Sequence, residues 1–143
     1  MFRSSSEYKT HLVSLAITHQ IRVMEVTDLP PHEGTATPDL RLLMLPQIKD
    51  ECSFVTALHE FGHLIAPYGS GISLGTLGDH WDPVHMRQCL VEEYAAWEWA
   101  EAETKRAGFE WTLTMEHVKI LSLKSYQDQL KRAILMQQMS EVA

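Results

Sequence analysis

The chain has 143 residues, of which 45% are hydrophobic and 22% charged, and carries 12 Lys and Arg against 19 Asp and Glu for a net charge of -7. That is one domain's length with enough apolar material for a single core, and it excludes a disordered chain. The acidic balance provides no field for phosphate backbones or anionic lipid, so neither nucleic acid nor membrane is expected as a partner. Two cysteines, Cys52 and Cys89, make no disulfide framework, the apolar run at 12–17 is too short for a signal-peptide core, and no stretch reaches the roughly 18 apolar residues of a membrane span. A cytoplasmic protein is the expectation.

In chain order, residues 5–20 place Leu12, Leu15, Ala16 and His19 at helical spacing behind a serine cluster able to cap a helix. Residues 21–26 and 40–45 are short runs rich in β-branched or apolar side chains and read as strands. Between them Pro30, Pro31, Gly34 and Pro38 impose a loop with room for one short extended piece. Asp50 is a candidate N-cap for a helix over 52–66, which Pro67 and Gly69 would stop. Residues 67–82 hold four of the seven glycines and read as a loop. Asp82 and Pro83 then open a third helix that Gly108 ends. A fourth helix spans about 114–139, with Val118, Leu121, Ile134 and Leu135 on an apolar stripe that requires cover. Helices dominate, with a small sheet ahead of the second helix.

The chemistry lies in His59-Glu60-Phe61-Gly62-His63, an H-E-x-x-H motif inside that second helix. Residues i and i+4 leave a helix on one face, so two imidazole nitrogens can reach one Zn²⁺, while Glu60 is turned aside and free to take a proton from an attacking water. At 100° per residue Phe54, Leu58, Phe61 and Ile65 form one stripe and Cys52, Val55, Thr56, His59, His63 and Ala66 the opposite one. A helix apolar on both sides is sandwiched, and its second side puts two histidines where another element must cover them.

Catalytic zinc usually takes a third protein ligand. The residues after His63 lack the Gly and His of the metzincin extension, which excludes that branch. On the third helix Glu93 falls among Met86, Leu90, Trp97 and Ala100, where a carboxylate is costly unless paired or bound to metal. Glu92, beside His85, Ala96 and Trp99, is the second choice, and Cys89 stands one turn before Glu93.

His59-Glu60-x-x-His63 followed by Glu93-Tyr94-Ala95-Ala96 resembles the gluzincin pattern, H-E-x-x-H and then E-x-x-A, in the short format of minimal gluzincins and of ImmA/IrrE-type metallopeptidases. The resemblance covers about residues 40–102. It implies an α+β, zincin-like single domain over 1–143, with a core of about 21–107, and zinc held by His59, His63 and Glu93 with Glu60 as general base. It further implies a protein or peptide substrate lying extended along the strand at 40–45. Trp97 stands where related enzymes often carry Asp or Asn to orient a ligand, which leaves the orienting acceptor to be found. Tyr68, His80 and His85 are the candidates to stabilise the oxyanion, with surface or packing roles as their alternative. Trp97, Trp99 and Trp111 read as core. The fourth helix reads as structural packing, or else as a segment bordering the cleft and restricting access. The rival to a peptidase is a non-catalytic, zinc-stabilised interaction or regulatory module with a vestigial centre.

Overall fold

A computed structural model describes residues 5–66 and 83–142. Four helices, α1 (Ser5–His19), α2 (Glu51–Ile65), α3 (Pro83–Arg106) and α4 (Leu113–Val142), surround three short strands, β1 (Arg22–Val26), β2 (Thr35–Thr37) and β3 (Leu42–Pro46). The chain is mostly helical with a small sheet, in keeping with the α+β expectation. Among the described residues no helix is long and apolar enough to cross a membrane.

The sheet order is β1-β3-β2, with β1 parallel and β2 antiparallel to the central strand. This corrects the strand expected at 40–45. Leu40 ends a 3-10 turn, Arg41 adopts the left-handed conformation (φ 46), and pairing begins at Leu42. Both edges of β3 are occupied, so an extended substrate cannot add to it. Among the described residues, the unpaired edge on this side of the sheet belongs to β2, the short piece inside the proline-rich loop.

The helix that carries the motif starts where its cap dictates. The Asp50 carboxylate accepts from the Ser53 backbone N–H at 2.8 Å, and Ser53 Oγ accepts from the Asp50 N–H, a reciprocal capping box. Every residue from Ser53 to His63 is buried, as expected for a helix with two apolar sides. Phe54 on one side enters an aromatic group with Tyr8 of α1, stacked at 4.1 Å, and Phe109, at 5.2 Å and edge-on. The other side packs against α3, and Gly62 makes that approach possible. A Cβ at Gly62 would lie 2.6 Å from the Ala96 carbonyl oxygen, so only a residue without a side chain lets the two backbones come so near.

Gly108, at φ +86, closes α3 with bonds from its own N–H to the Lys105 carbonyl and from the Phe109 N–H to the Thr104 carbonyl. The chain then reverses into α4. Glu101 with Lys119, Trp97 with Ser122 and Tyr94 with Gln127 pair in descending order on α3 against ascending order on α4, so the two helices are antiparallel. The inward residues of α4 include Met115, Leu123 and Ala133, not the stripe expected from the sequence: Leu121 and Leu135 are more than half exposed, and Val118 and Ile134 only half-buried. A 30-residue helix packed on partners of unequal length turns different faces inward along its course.

Candidate metal centre

Two helices supply the centre. His59 and His63 leave the buried face of α2 one turn apart, and Glu93 leaves α3 directly opposite, fully buried. His59 Nε2 lies 2.9 Å from Glu93 Oε1, His63 Nε2 lies 2.6 Å from Glu93 Oε2, and the two Nε2 atoms are 3.1 Å apart. Glu92, one position earlier, is half-buried and takes no part in this contact set.

These distances test the site for a metal. Zinc bonds of about 2.0–2.2 Å in a tetrahedral arrangement separate the ligand atoms by roughly 3.3 Å, near the 3.1 Å between the two Nε2 atoms. In this triangle of side chains the carboxylate meets the imidazoles with different oxygens, Oε1 toward His59 and Oε2 toward His63. Without a metal an N–H on each ring can donate to its own oxygen; with both Nε2 atoms deprotonated, two nitrogen lone pairs and a carboxylate converge, a donor set that could hold a divalent metal.

The electrostatics follow from the same proximity. Burial by itself would push the His59 imidazole down, but the Glu93 and Glu60 carboxylates outweigh it and raise the pKa to about 10. Burial would likewise push Glu93 up, and the two imidazoles instead bring it to about 2. The Cys89 thiol is pushed up to about 11 by burial and then by Glu92 and Glu93, so it remains a protonated, buried thiol.

Glu60 is buried beside the triangle, with Oε1 3.3 Å from His59 Nδ1, and His59, Glu60 and His63 can bring one ligand atom each within 4.8 Å of one another. Gly34 of the β1–β2 loop lies against it: a Cβ there would come 3.0 Å from Glu60 Cγ. Trp97 takes the position where an orienting acceptor was expected. Its indole stacks on the His59 ring at 4.3 Å and 13°, and its Nε1–H donates to Ser122 Oγ of α4 at 3.3 Å. The ring of His59 is thus held by a flat face, with Glu60 Oε1 3.3 Å from its Nδ1.

A cleft of about 1190 Å³ opens over His59 and Glu60. Gly34 and Thr35 line it on the sheet side, Cys52 and Thr56 on α2, and Val118, Ser122 and Tyr126 on α4. Tyr126 is the residue that sequence reasoning missed. It belongs to the stripe of α4 that reads as packing, and nothing in its spacing from the motif marks it. Its phenol is driven well above the ordinary range by burial and then by Glu93, Glu60 and Cys89, so it stays a hydrogen-bond donor. Of the expected oxyanion candidates, His85 is half-buried on α3 and does not line this cleft, whereas Tyr68 and His80 lie outside the described residues.

No protein-family model, no curated protein and no solved structure matches this chain.

Proposed function

We propose that the chain is a zinc-dependent peptidase of gluzincin type with a zincin-like fold, in which His59, His63 and Glu93 hold the metal and Glu60 is the general base. The observation that carries this reading is the Glu93 carboxylate, fully buried with its two oxygens against the Nε2 atoms of His59 and His63. Bound there, zinc supplies Lewis acidity that polarises a carbonyl and lowers the pKa of a water toward about 7. Glu60, at the cleft floor, accepts the proton from the attacking water and returns it to the amide nitrogen that leaves. Tyr126 stands across the cleft as a neutral donor for the carbonyl oxygen as negative charge develops on it. An extended peptide has the open edge of β2 to pair with, beside Gly34, where the absence of a side chain keeps backbone close to Glu60.

One contact favours the rival, a zinc-stabilised module without turnover: Glu60 Oε1 faces His59 Nδ1, an arrangement that serves metal retention as well as catalysis. Three variants separate the readings. Glu93→Ala should lose zinc, Glu60→Gln should keep about one zinc per chain and lose peptide hydrolysis by a factor of about 10² or more, and Glu92→Ala should do neither. Metal content and a proteome-derived peptide library read both outcomes. Equal cleavage by wild type and Glu60→Gln would reject the peptidase, and zinc retained by Glu93→Ala would reject the ligand set.

A further inference from the structure

The sheet has a second edge, β1, on the side away from β2 and the cleft. Arg22 donates its N–H to the Arg41 carbonyl at 2.9 Å, and in a parallel ladder every second residue turns its backbone groups to the neighbouring strand. Arg22, Met24 and Val26 therefore face β3, while Val23 and Glu25 point their N–H and C=O groups outward, where no described residue pairs with them. The strand lacks the devices that keep an edge from pairing: it holds no proline, and all five residues pair with β3 without a bulge. Apolar side chains stand exposed around it. Val13 and Ile17 of α1 line one groove with Val23, Ile17 being 74% exposed, and Met24 is 52% exposed on the opposite face of the sheet.

The pattern of β1 selects what covers this edge. Two copies of the strand related by a two-fold axis normal to the sheet run antiparallel with like faces together. With that axis at Met24, Val23 exchanges both backbone bonds with Glu25 of the second copy, and Glu25 does so with Val23, so every outward group is used. An axis at Val23 leaves Glu25 without such an exchange, and one at Glu25 sets two carboxylates directly opposite. The charges select the same direction. Arg22 opens the strand and Asp28 stands just beyond its end, so antiparallel pairing sets each basic start beside the other copy's acidic end, whereas parallel pairing would oppose Arg22 to Arg22. Val13 and Ile17 of both copies then flank the join on the groove face, and the two Met24 side chains meet on the other. We infer that the chain forms a two-fold dimer through β1 with its axis at Met24, one sheet in the order β2-β3-β1-β1-β3-β2. The join lies at the edge opposite β2, so it leaves the cleft of each copy open. A net charge of -7 on each copy opposes approach and keeps the expected dissociation constant micromolar.

Sedimentation of the full chain between about 1 and 300 µM reads the association, and circular dichroism checks that each variant is folded. Wild type should pass from one chain to two across that range. Val23→Pro removes an outward N–H that β3 does not use, a change an edge strand tolerates, and should weaken the dimer at least about tenfold. Met24→Lys places two ammonium groups face to face at the axis and should do the same with the backbone untouched. The register is read by cross-linking. Across the axis the two Met24 Cα atoms would lie about 4.5 Å apart, within disulfide reach, so Met24→Cys should give a covalent dimer with oxidised glutathione. Glu25→Cys should not, because its two copies sit diagonally at about 8 Å, and Cys52 and Cys89 are common to both proteins. A chain that stays monomeric throughout the range overturns the inference and leaves the edge to a strand from a different protein. A dimer that both Val23→Pro and Met24→Lys leave intact, or cross-linking by Glu25→Cys in preference to Met24→Cys, overturns it as well.

Discussion

Gly62→Ala gives the sharpest check on how the candidate metal centre is assembled. On an isolated helix the change stabilises by about 1 kcal/mol, because alanine loses less backbone freedom than glycine. Here the added Cβ would meet the Ala96 carbonyl oxygen at 2.6 Å, its Cα at 3.0 Å and its carbonyl carbon at 3.1 Å, and all three are backbone atoms that no rotamer change can move. The two helices must separate by most of an ångström, and with three backbone atoms in the way the overpacking lies at the upper end of its usual cost, about 2–3 kcal/mol, which outweighs the propensity gain. The net expectation is a loss of about 1–2 kcal/mol, a fall in Tm of roughly 3–8 °C for a domain of this size. Glu93 lies one turn before Ala96 on the helix that is displaced, so zinc affinity should fall as well, by about 10- to 100-fold, the range seen when support for metal ligands is disturbed. Thermal melting of the metal-free protein and a competitive zinc titration read the two effects separately. Ala96→Gly should not rescue them, since the obstruction is the backbone and not the Ala96 methyl group. A Gly62→Ala protein with unchanged Tm and zinc affinity would refute the close approach of α2 and α3 and, with it, the geometry assigned to Glu93.

Three further outcomes follow from the same structure. Trp97→Phe should preserve zinc affinity within a few-fold because a ring still stacks on His59, whereas Trp97→Ala should weaken it about tenfold or more, and zinc binding should change the indole emission of the wild type far more than that of Trp97→Phe; equal zinc affinity in all three proteins would dismiss the stack as a positioning device. In the metal-free protein His59, raised from 6.5 to about 10, contributes stability that is full below about pH 6.5 and lost as pH rises through 10, while Glu93, lowered from 4.5 to about 2, contributes stability present above about pH 4.5 and lost as pH falls through 2; zinc must displace the His59 proton, so calorimetry between pH 6 and 9 should find uptake tightening with pH and releasing a proton, and pH-independent uptake would contradict the site. Ending the chain at Gly108 should abolish cooperative unfolding, because it strips Met115 and Leu123, each worth about 1.5–3 kcal/mol of burial, and uncovers Trp97; a truncated protein that stays folded, holds zinc and cleaves peptides faster would instead make α4 an inhibitory cover.

The helix of the H-E-x-x-H motif was legible because its signals are local. A capping residue at Asp50, apolar side chains on both faces and two histidines at i and i+4 are properties of one helix, and a helix's period is fixed by backbone geometry wherever it packs. That Glu93 and not Glu92 is buried was legible for the same reason: of the two, only Glu93 falls inside the apolar stripe of α3, and burying a carboxylate there demands a partner. What required the tertiary structure is everything set by which elements meet. The strand at 40–45 is apolar wherever it lies in the sheet, so its residues could not tell a central strand from an edge, and the edge passed to three residues of the preceding loop. The faces of α4 depend on how far α2 and α3 extend beneath it, which no periodicity encodes, so Leu121 emerges in the cleft and Tyr126, 33 positions beyond Glu93, lines the same cleft as His59 and Glu60. Trp97 belongs to both classes: its place one turn after Glu93 is written in the sequence, but its service to His59 arises only because Gly62 lets two helices approach until an indole and an imidazole lie face to face.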